Sequence, residues 1–145
     1  MRLIIQRVKS ASVLIEEKEY SSINVGLLCF VAFSDEDTKD DLMWAANKIL
    51  KLKLFLNNQS VEEVNGELLI VSQFTLFASI KKGTKPSWSR AASPNIAKDL
   101  YNNFISILKE ISANNINTGV FGADMDVQLI NDGPVTLIID TKQRQ

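Results

Sequence analysis

The feature that most restricts how this chain can fold is the run Asn131-Asp132-Gly133-Pro134-Val135-Thr136, a Gly-Pro pair set between two apolar stretches. Before it, Val127 and Leu129 alternate against Asp126 and Gln128; after it come Val135, Leu137, Ile138 and Ile139, rich in β-branched residues. Two strands therefore flank a rigid corner. Proline has no N–H and a fixed φ, so Pro134 is excluded from the middle of a central ladder, while Gly133 lacks a Cβ and lets another molecule approach the backbone. From these residues alone the corner reads as an ordinary loop turn, with a trans peptide the default for such a dipeptide and a cis bond the minority alternative.

The rest of the chain reads as an α+β setting for that corner. Residues 2–8 and 11–15 have strand patterns, and residues 20–25 return as a hairpin through Glu16-Glu17-Lys18-Glu19. The unbroken apolar run 26–33 predicts a strand buried on both faces. Ser34-Asp35-Glu36-Asp37 offers N-cap candidates for a helix carrying Leu42, Ala45, Ala46, Ile49 and Leu50 to about Leu54. Residues 56–65 are turn-like with a brief strand at 61–64, and Gly66 leads into residues 67–78, the longest strand signal. Ser93-Pro94 predicts the start of a second helix, with Ile96, Leu100, Phe104, Ile107, Leu108 and Ile111 as its apolar stripe. The sum is a mixed or antiparallel sheet covered by two main helices.

Composition narrows the chemistry. With 145 residues, 46% of them hydrophobic and 23% charged, residues 1–145 fit one globular domain. A net charge of -1 requires any nucleic-acid partner to be met by a local patch. The single cysteine, Cys29, excludes an intrachain disulfide and reads as buried filler. Residues 1–9 alternate and carry Arg2, Gln6, Arg7 and Lys9, unlike a signal peptide, and no run approaches membrane-spanning length. A soluble, cytoplasmic protein with no membrane partner is expected. Histidine is absent, which removes the commonest general base, triad partner and metal ligand together.

Three groups of residues could carry chemistry. Ser72, Gln73 and Thr75 bring polar side chains to a strand expected to be buried; Ser72 and Thr75 are nucleophile candidates, yet no G-x-S-x-G elbow surrounds them, and the alternative is a strand end satisfied by backbone partners. Asp124 and Asp126, two apart, would share a strand face and could offer a hard metal two oxygens, giving a metal-dependent hydrolase as one alternative. Residues 79–92 form a basic loop in which Lys81, Lys82, Lys85 and Arg90 accompany Trp88, a combination suited to a phosphate backbone with a stackable base; its bland reading is a solvated loop. Lys48, Lys51 and Lys53 could extend that patch. A non-catalytic nucleic-acid-binding module is thus a second alternative.

Taken together, Ser72-Gln73-Phe74-Thr75-Leu76 and Asn131-Asp132-Gly133-Pro134-Val135-Thr136 resemble the two signature motifs of the D-aminoacyl-tRNA deacylases. The likeness covers the whole chain, including Gln6-Arg7-Val8, Ala11-Ser12-Val13, Gly26-Leu27-Leu28, the loop 83–86 and Phe121-Gly122-Ala123-Asp124-Met125. It departs in residues 57–65, which are short and lack the usual glycine-lysine-methionine-asparagine run, and where Lys85 and Trp88 stand for the more frequent arginine and phenylalanine.

The resemblance implies a β-barrel-like α+β domain, active as a homodimer, that hydrolyses the ester joining a D-amino acid, or glycine, to the 3′-terminal adenosine of tRNA; no cofactor and no metal ligand are assigned. It implies a cis Gly133–Pro134 peptide that enters the partner's site and there discriminates handedness. It places Gln73, Phe74 and Thr75 at the catalytic centre through their backbone N–H groups, and Arg7, Ser72, Ala92, Met125, Gly133 and Pro134 around the substrate, Arg7 steadying the dipeptide. The tRNA would meet Lys81, Lys82, Lys85, Trp88 and Arg90.

Overall fold

The computed structural model describes residues 1–145. Strand β1 (Arg2–Ile15) is the element that pairs with three others. Its first half runs antiparallel to β3 (Gly26–Ala32), its second half antiparallel to β2 (Lys18–Ile23), and its opposite edge antiparallel to β6 (Asp126–Asp140). Beyond β3 the pairing turns parallel, through β4 (Glu67–Ser72) to the short β5 (Ile116–Thr118). The ends of this mixed sheet nearly meet. Ser21 Oγ donates to the Thr118 carbonyl and Asn117 Nδ2 to the Ser22 carbonyl, both at 2.7 Å, so side chains and not a ladder join β2 to β5. The barrel-like α+β architecture follows.

Parallel neighbours need long crossovers, and helices α1 (Lys39–Lys51) and α2 (Pro94–Ile111) supply them between β3, β4 and β5. Leu42, Ala46 and Ile49 of α1 and Tyr101, Phe104 and Leu108 of α2 pack in one cluster with Leu3, Ile5, Leu27, Val31, Leu68 and Ile70 of the sheet. Alternate sheet residues, Leu28, Leu69 and Val71, face the other way and meet Val8, Ala11, Val13 and Ile23 inside the curl. Both faces of β3 are therefore covered, which explains its unbroken apolar run. In β1 the buried positions change phase between Ile5 and Val8, where the pairing with β6 slips register. The sequence pattern reads two strands there; the hydrogen bonding carries one strand through the kink.

Other boundaries also differ from expectation. The cap of α1 is Thr38, in a reciprocal capping box with Asp41, while Ser34 and Asp37 close a preceding turn. Helix α1 stops at Lys51, three residues early, where Leu52 becomes extended. The first hairpin is tighter than read, because Glu16 and Glu17 both take positive φ. Residues 61–64 form a turn closed by Gly66 N–H to the Val61 carbonyl at 2.9 Å, not a strand. Pro94 opens α2 as expected, but Ser93 makes no side-chain cap; Ile96 stays exposed, and Ala97 and Tyr101 fill the buried face. Strand β4 ends at Ser72 and Phe74–Phe77 turn into a 3-10 helix. The neighbouring β3 ends at Ala32, so residues beyond Gln73 have no ladder to join, whatever their β propensity.

The β3–β4 pair fixes where the parallel strands end, and it tolerates no side chain at its start. A Cβ at Gly26 would lie 1.9 Å from the Glu67 carbonyl oxygen, its ladder partner. Gly26→Ala should lower the unfolding free energy by roughly 3 kcal/mol, read by urea denaturation. An unchanged midpoint would show that the two strands separate more easily than this packing allows.

Candidate functional site

The Gly-Pro corner is expelled from a ladder that continues on either side of it. Gln6 pairs with Thr136 and Val8 with Asn131, so residues 132–135 loop out opposite Arg7. The Gly133–Pro134 peptide is cis, as the resemblance implies and unlike the default for the residues alone. At the base of the loop, Gln6 Nε2 donates to Asn131 Oδ1 at 2.8 Å and to Thr136 Oγ1 at 3.3 Å, and Thr136 Oγ1 donates to Asn131 Oδ1 at 3.2 Å. At its tip, Arg7 Nη2 donates to the Gly133 carbonyl at 3.5 Å, while Nη1 donates to the Leu54 carbonyl at 2.5 Å. Arg7 Nε lies 3.0 Å from Asp132 Oδ2 as an ion contact, without the angle of a directed hydrogen bond. Gly133 and Pro134 are exposed.

A cleft of about 900 Å³ opens where β3 and β4 end. Ser72, Gln73 and Phe74 form one side, and Ala92, Phe121 and Met125 contribute to the mostly apolar remainder. Gln73 N–H is committed to the Val31 carbonyl at 2.7 Å. The next two N–H groups, of Phe74 and Thr75, find no acceptor within the chain, because the first residues of a helical turn have no preceding turn to donate to. Of the three residues expected to offer backbone donors, Gln73 has its N–H occupied and Phe74 and Thr75 have theirs open. The Thr75 side chain, half-buried, is outside the cleft wall.

Ser72 brings a hydroxyl and Asp124 a carboxylate to the cleft wall, and the chain has no histidine to activate the serine. Burial pushes the Cys29 thiol far up, and raises the Tyr101 phenol to about 12, where its hydroxyl donates to the Ile70 carbonyl at 2.9 Å. Asp126 opens β6, so Asp124 lies before the strand and the two do not share a strand face; both are exposed, and no third ligand joins them. What the cleft wall offers chemically is the main-chain dipole of Phe74 beside an apolar surface, with the Thr75 N–H next along the chain.

The basic loop borders this cleft. Lys81, Lys82, Lys85 and Arg90 are exposed and enter no ion pair. Trp88 packs edge-on against Phe74 with centroids 5.5 Å apart, and Ala92 N–H donates to the Phe33 carbonyl at 2.9 Å, tying the loop to the end of β3. The expected extension along α1 is weaker than read, because Lys53 is taken by Glu63 at 2.6 Å and Lys48 sits over Trp44.

Within one chain the candidate residues fall into two groups. Arg7 pairs with Leu27 of β3 whereas Ser72 pairs with Val31, four residues farther on, or roughly 13 Å at strand rise. Ser72, Gln73, Phe74, Trp88, Ala92 and Met125 belong to the cleft; Arg7, Gly133 and Pro134 belong to the corner, which is no part of the cleft lining. Sequence reasoning missed Gln6 and Thr136 as the corner's base clamp and Asp132 as an Arg7 partner. The signal for the clamp was polar side chains at both ends of the Gly-Pro loop.

Fold and cleft define a class: barrel-like α+β proteins with a cleft at the carboxyl ends of parallel strands. The model of the D-Tyr-tRNA(Tyr) deacylase family matches residues 4–140. Proteins named D-aminoacyl-tRNA deacylase from Flavobacterium johnsoniae and Cytophaga hutchinsonii are 47% and 49% identical over all of both chains. The one from Dechloromonas aromatica is 48% identical over 98% of each. A solved structure of the c-Myc DNA Unwinding Element Binding Protein superposes with a TM-score of 0.91 at 36% identity, covering 97% of this chain and 98% of that one. A probable eukaryotic D-amino acid tRNA deacylase shares the fold, with a TM-score of 0.81 at 20% identity over 95% of this chain and 97% of that one. The chain belongs to the D-aminoacyl-tRNA deacylase family.

The corner makes one stability prediction. A Cβ built on Gly133 meets nothing closer than Asn131 Nδ2 at 3.7 Å, so this chain's own packing leaves the position free. Gly133→Ala should stay within about 1 kcal/mol of the parent in thermal unfolding. A larger loss would mean that the glycine serves the fold of its own chain.

Proposed function

We propose that the protein hydrolyses the ester joining a D-amino acid, or glycine mischarged on tRNA(Ala), to the 3′-terminal adenosine of tRNA, releasing free amino acid and tRNA. The observation that carries this reading is the open N–H of Phe74, a residue of the apolar cleft wall, followed in the chain by the equally open N–H of Thr75. An aminoacyl ester is already labile, so positioning and stabilisation of a developing oxyanion are what catalysis must supply. Water, assisted by the ribose 2′-OH, adds to the carbonyl carbon, and the carbonyl electron pair moves to an oxygen that accepts from the two N–H groups. Collapse of this adduct expels the ribose 3′ oxygen, which takes a proton. One such donor is worth about 100-fold to 1,000-fold in rate.

Handedness is set by the Gly133–Pro134 corner. Its backbone, set against the substrate Cα, leaves room for hydrogen on one side and clashes with an L side chain there. The carbonyls of Gly133, Pro134 and Phe74 hold the substrate ammonium, and Arg7 steadies the corner. Because cleft and corner are separate in one chain, the corner serves the cleft of a second copy, and the active species is a homodimer. Ala92 and Met125 line the substrate pocket beside Ser72. Lys81, Lys82, Lys85 and Arg90 meet tRNA phosphates and Trp88 stacks on a base, a reading supported by their exposure and lack of acidic partners. Residues 1–145 act as one domain, in the cytoplasm where charged tRNA is used. No helix is long and apolar enough to cross a membrane.

A second reading, a non-catalytic nucleic-acid-binding module, draws on the same free cations and on the name of the relative described as binding a DNA unwinding element. Purified protein given D-tyrosyl-tRNA and L-tyrosyl-tRNA separates the two. Fast release of D-tyrosine alone is expected; equal rates would remove the chiral claim, and salt-sensitive binding without cleavage would favour the second reading. Thr75→Ala keeps its backbone N–H and should hold activity within about tenfold. Complete loss in a folded variant would return Thr75 to the role of nucleophile.

A further inference from the structure

A backbone corner can discriminate handedness only if its tip is held still, and two contacts tie this tip to Arg7. They are unequal. The Gly133 carbonyl accepts from Arg7 Nη2 at 3.5 Å, the outer limit of a hydrogen bond to a neutral acceptor. The Asp132 carboxylate is 3.0 Å from Arg7 Nε, a contact between full charges; the arginine side chain is 13% exposed and the aspartate 39%, so the cation is shielded from water while the carboxylate is partly solvated. We infer that Asp132 is the principal anchor of the corner and acts, through Arg7, as a positioning residue for chiral discrimination. The inference rests on the deacylase reading above.

Arg7 is the fixed partner in this pair. Its backbone lies in β1 opposite Leu27 of β3, and its Nη1 donates to the Leu54 carbonyl at 2.5 Å, so strand and loop hold the guanidinium independently of the corner. Within its own chain the corner has no such second support at its tip. The Gln6, Asn131 and Thr136 side chains clamp its two ends, and Gly133 and Pro134 are exposed. Arg7 Nε is buried and makes no directed hydrogen bond, which leaves the Asp132 carboxylate as the group that compensates the corner-facing side of the cation. Without that charge the tip keeps only the loose Gly133 contact and gains freedom to swing.

The test is the ratio of kcat/KM for D-tyrosyl-tRNA over L-tyrosyl-tRNA, measured with thermal unfolding of each variant. Asp132→Asn keeps shape and removes charge; it should lower the ratio by about 10-fold to 100-fold. Asp132→Glu, which keeps the charge, should restore most of it. On an Arg7→Met background Asp132→Asn should change nothing further, as expected of groups that act in series. Wild-type cleavage of the D-ester with an unaltered ratio in Asp132→Asn overturns the inference and leaves the deacylase reading standing. Should the lone buried cation prevent Asp132→Asn from folding, Arg7→Met alone and combined with Asp132→Asn decide the matter, since neither leaves a buried cation: a ratio lowered in Arg7→Met and no lower in the double variant supports the inference, and an unaltered ratio in Arg7→Met or a further fall in the double variant overturns it. A wild-type protein inactive on the D-ester overturns both.

Discussion

The backbone of β1 is hydrogen-bonded along both edges, and every functional feature is placed relative to it. One edge fixes β3, and through β3 the parallel strands whose ends frame the cleft. The other edge fixes β6, which can leave the ladder for four residues and return because Gln6–Thr136 and Val8–Asn131 pairs secure it on either side. A proline is tolerated there because its missing N–H falls where no partner is waiting. The strand therefore acts as a ruler. It sets the corner at one point and the cleft farther along, at a separation that side chains do not bridge.

Much of this architecture was readable from residue pattern. The apolar run of β3, the helical spacing of Leu42, Ala45, Ala46, Ile49 and Leu50, and Pro94 at the start of α2 each reflect a local requirement that survives in the folded chain. The failures share a cause. Residues 73–78 carry strong β propensity, but a strand exists only where a neighbour offers a ladder, and β3 ends first. The break read near Lys9 is a phase change that backbone pairing spans. Pairing partners distant in sequence decided these boundaries, and no local window contains them.

The site was legible in its motifs and illegible in its arrangement. The residues alone led to a trans turn at Gly133–Pro134, and only the likeness of two motifs implied the cis form that is present. Spacing placed Asp124 and Asp126 on one strand face; the strand begins at Asp126 and removes that geometry. The likeness implied three backbone donors, yet the Gln73 N–H is consumed by the Val31 carbonyl. Whether a main-chain donor is free depends on where its neighbour strand stops, and residue identity does not record that.

The open N–H groups of Phe74 and Thr75 belong to the polypeptide itself, which bears on how such a site withstands genetic drift. Exchanging a side chain at either position removes neither group; among the coded residues only proline lacks the hydrogen. Selection there would act on the path of the chain, through the carbonyl that captures Gln73 and the abrupt end of β4, and much less on the letters at the two positions. Related sequences could thus change both side chains while the two open donors persist.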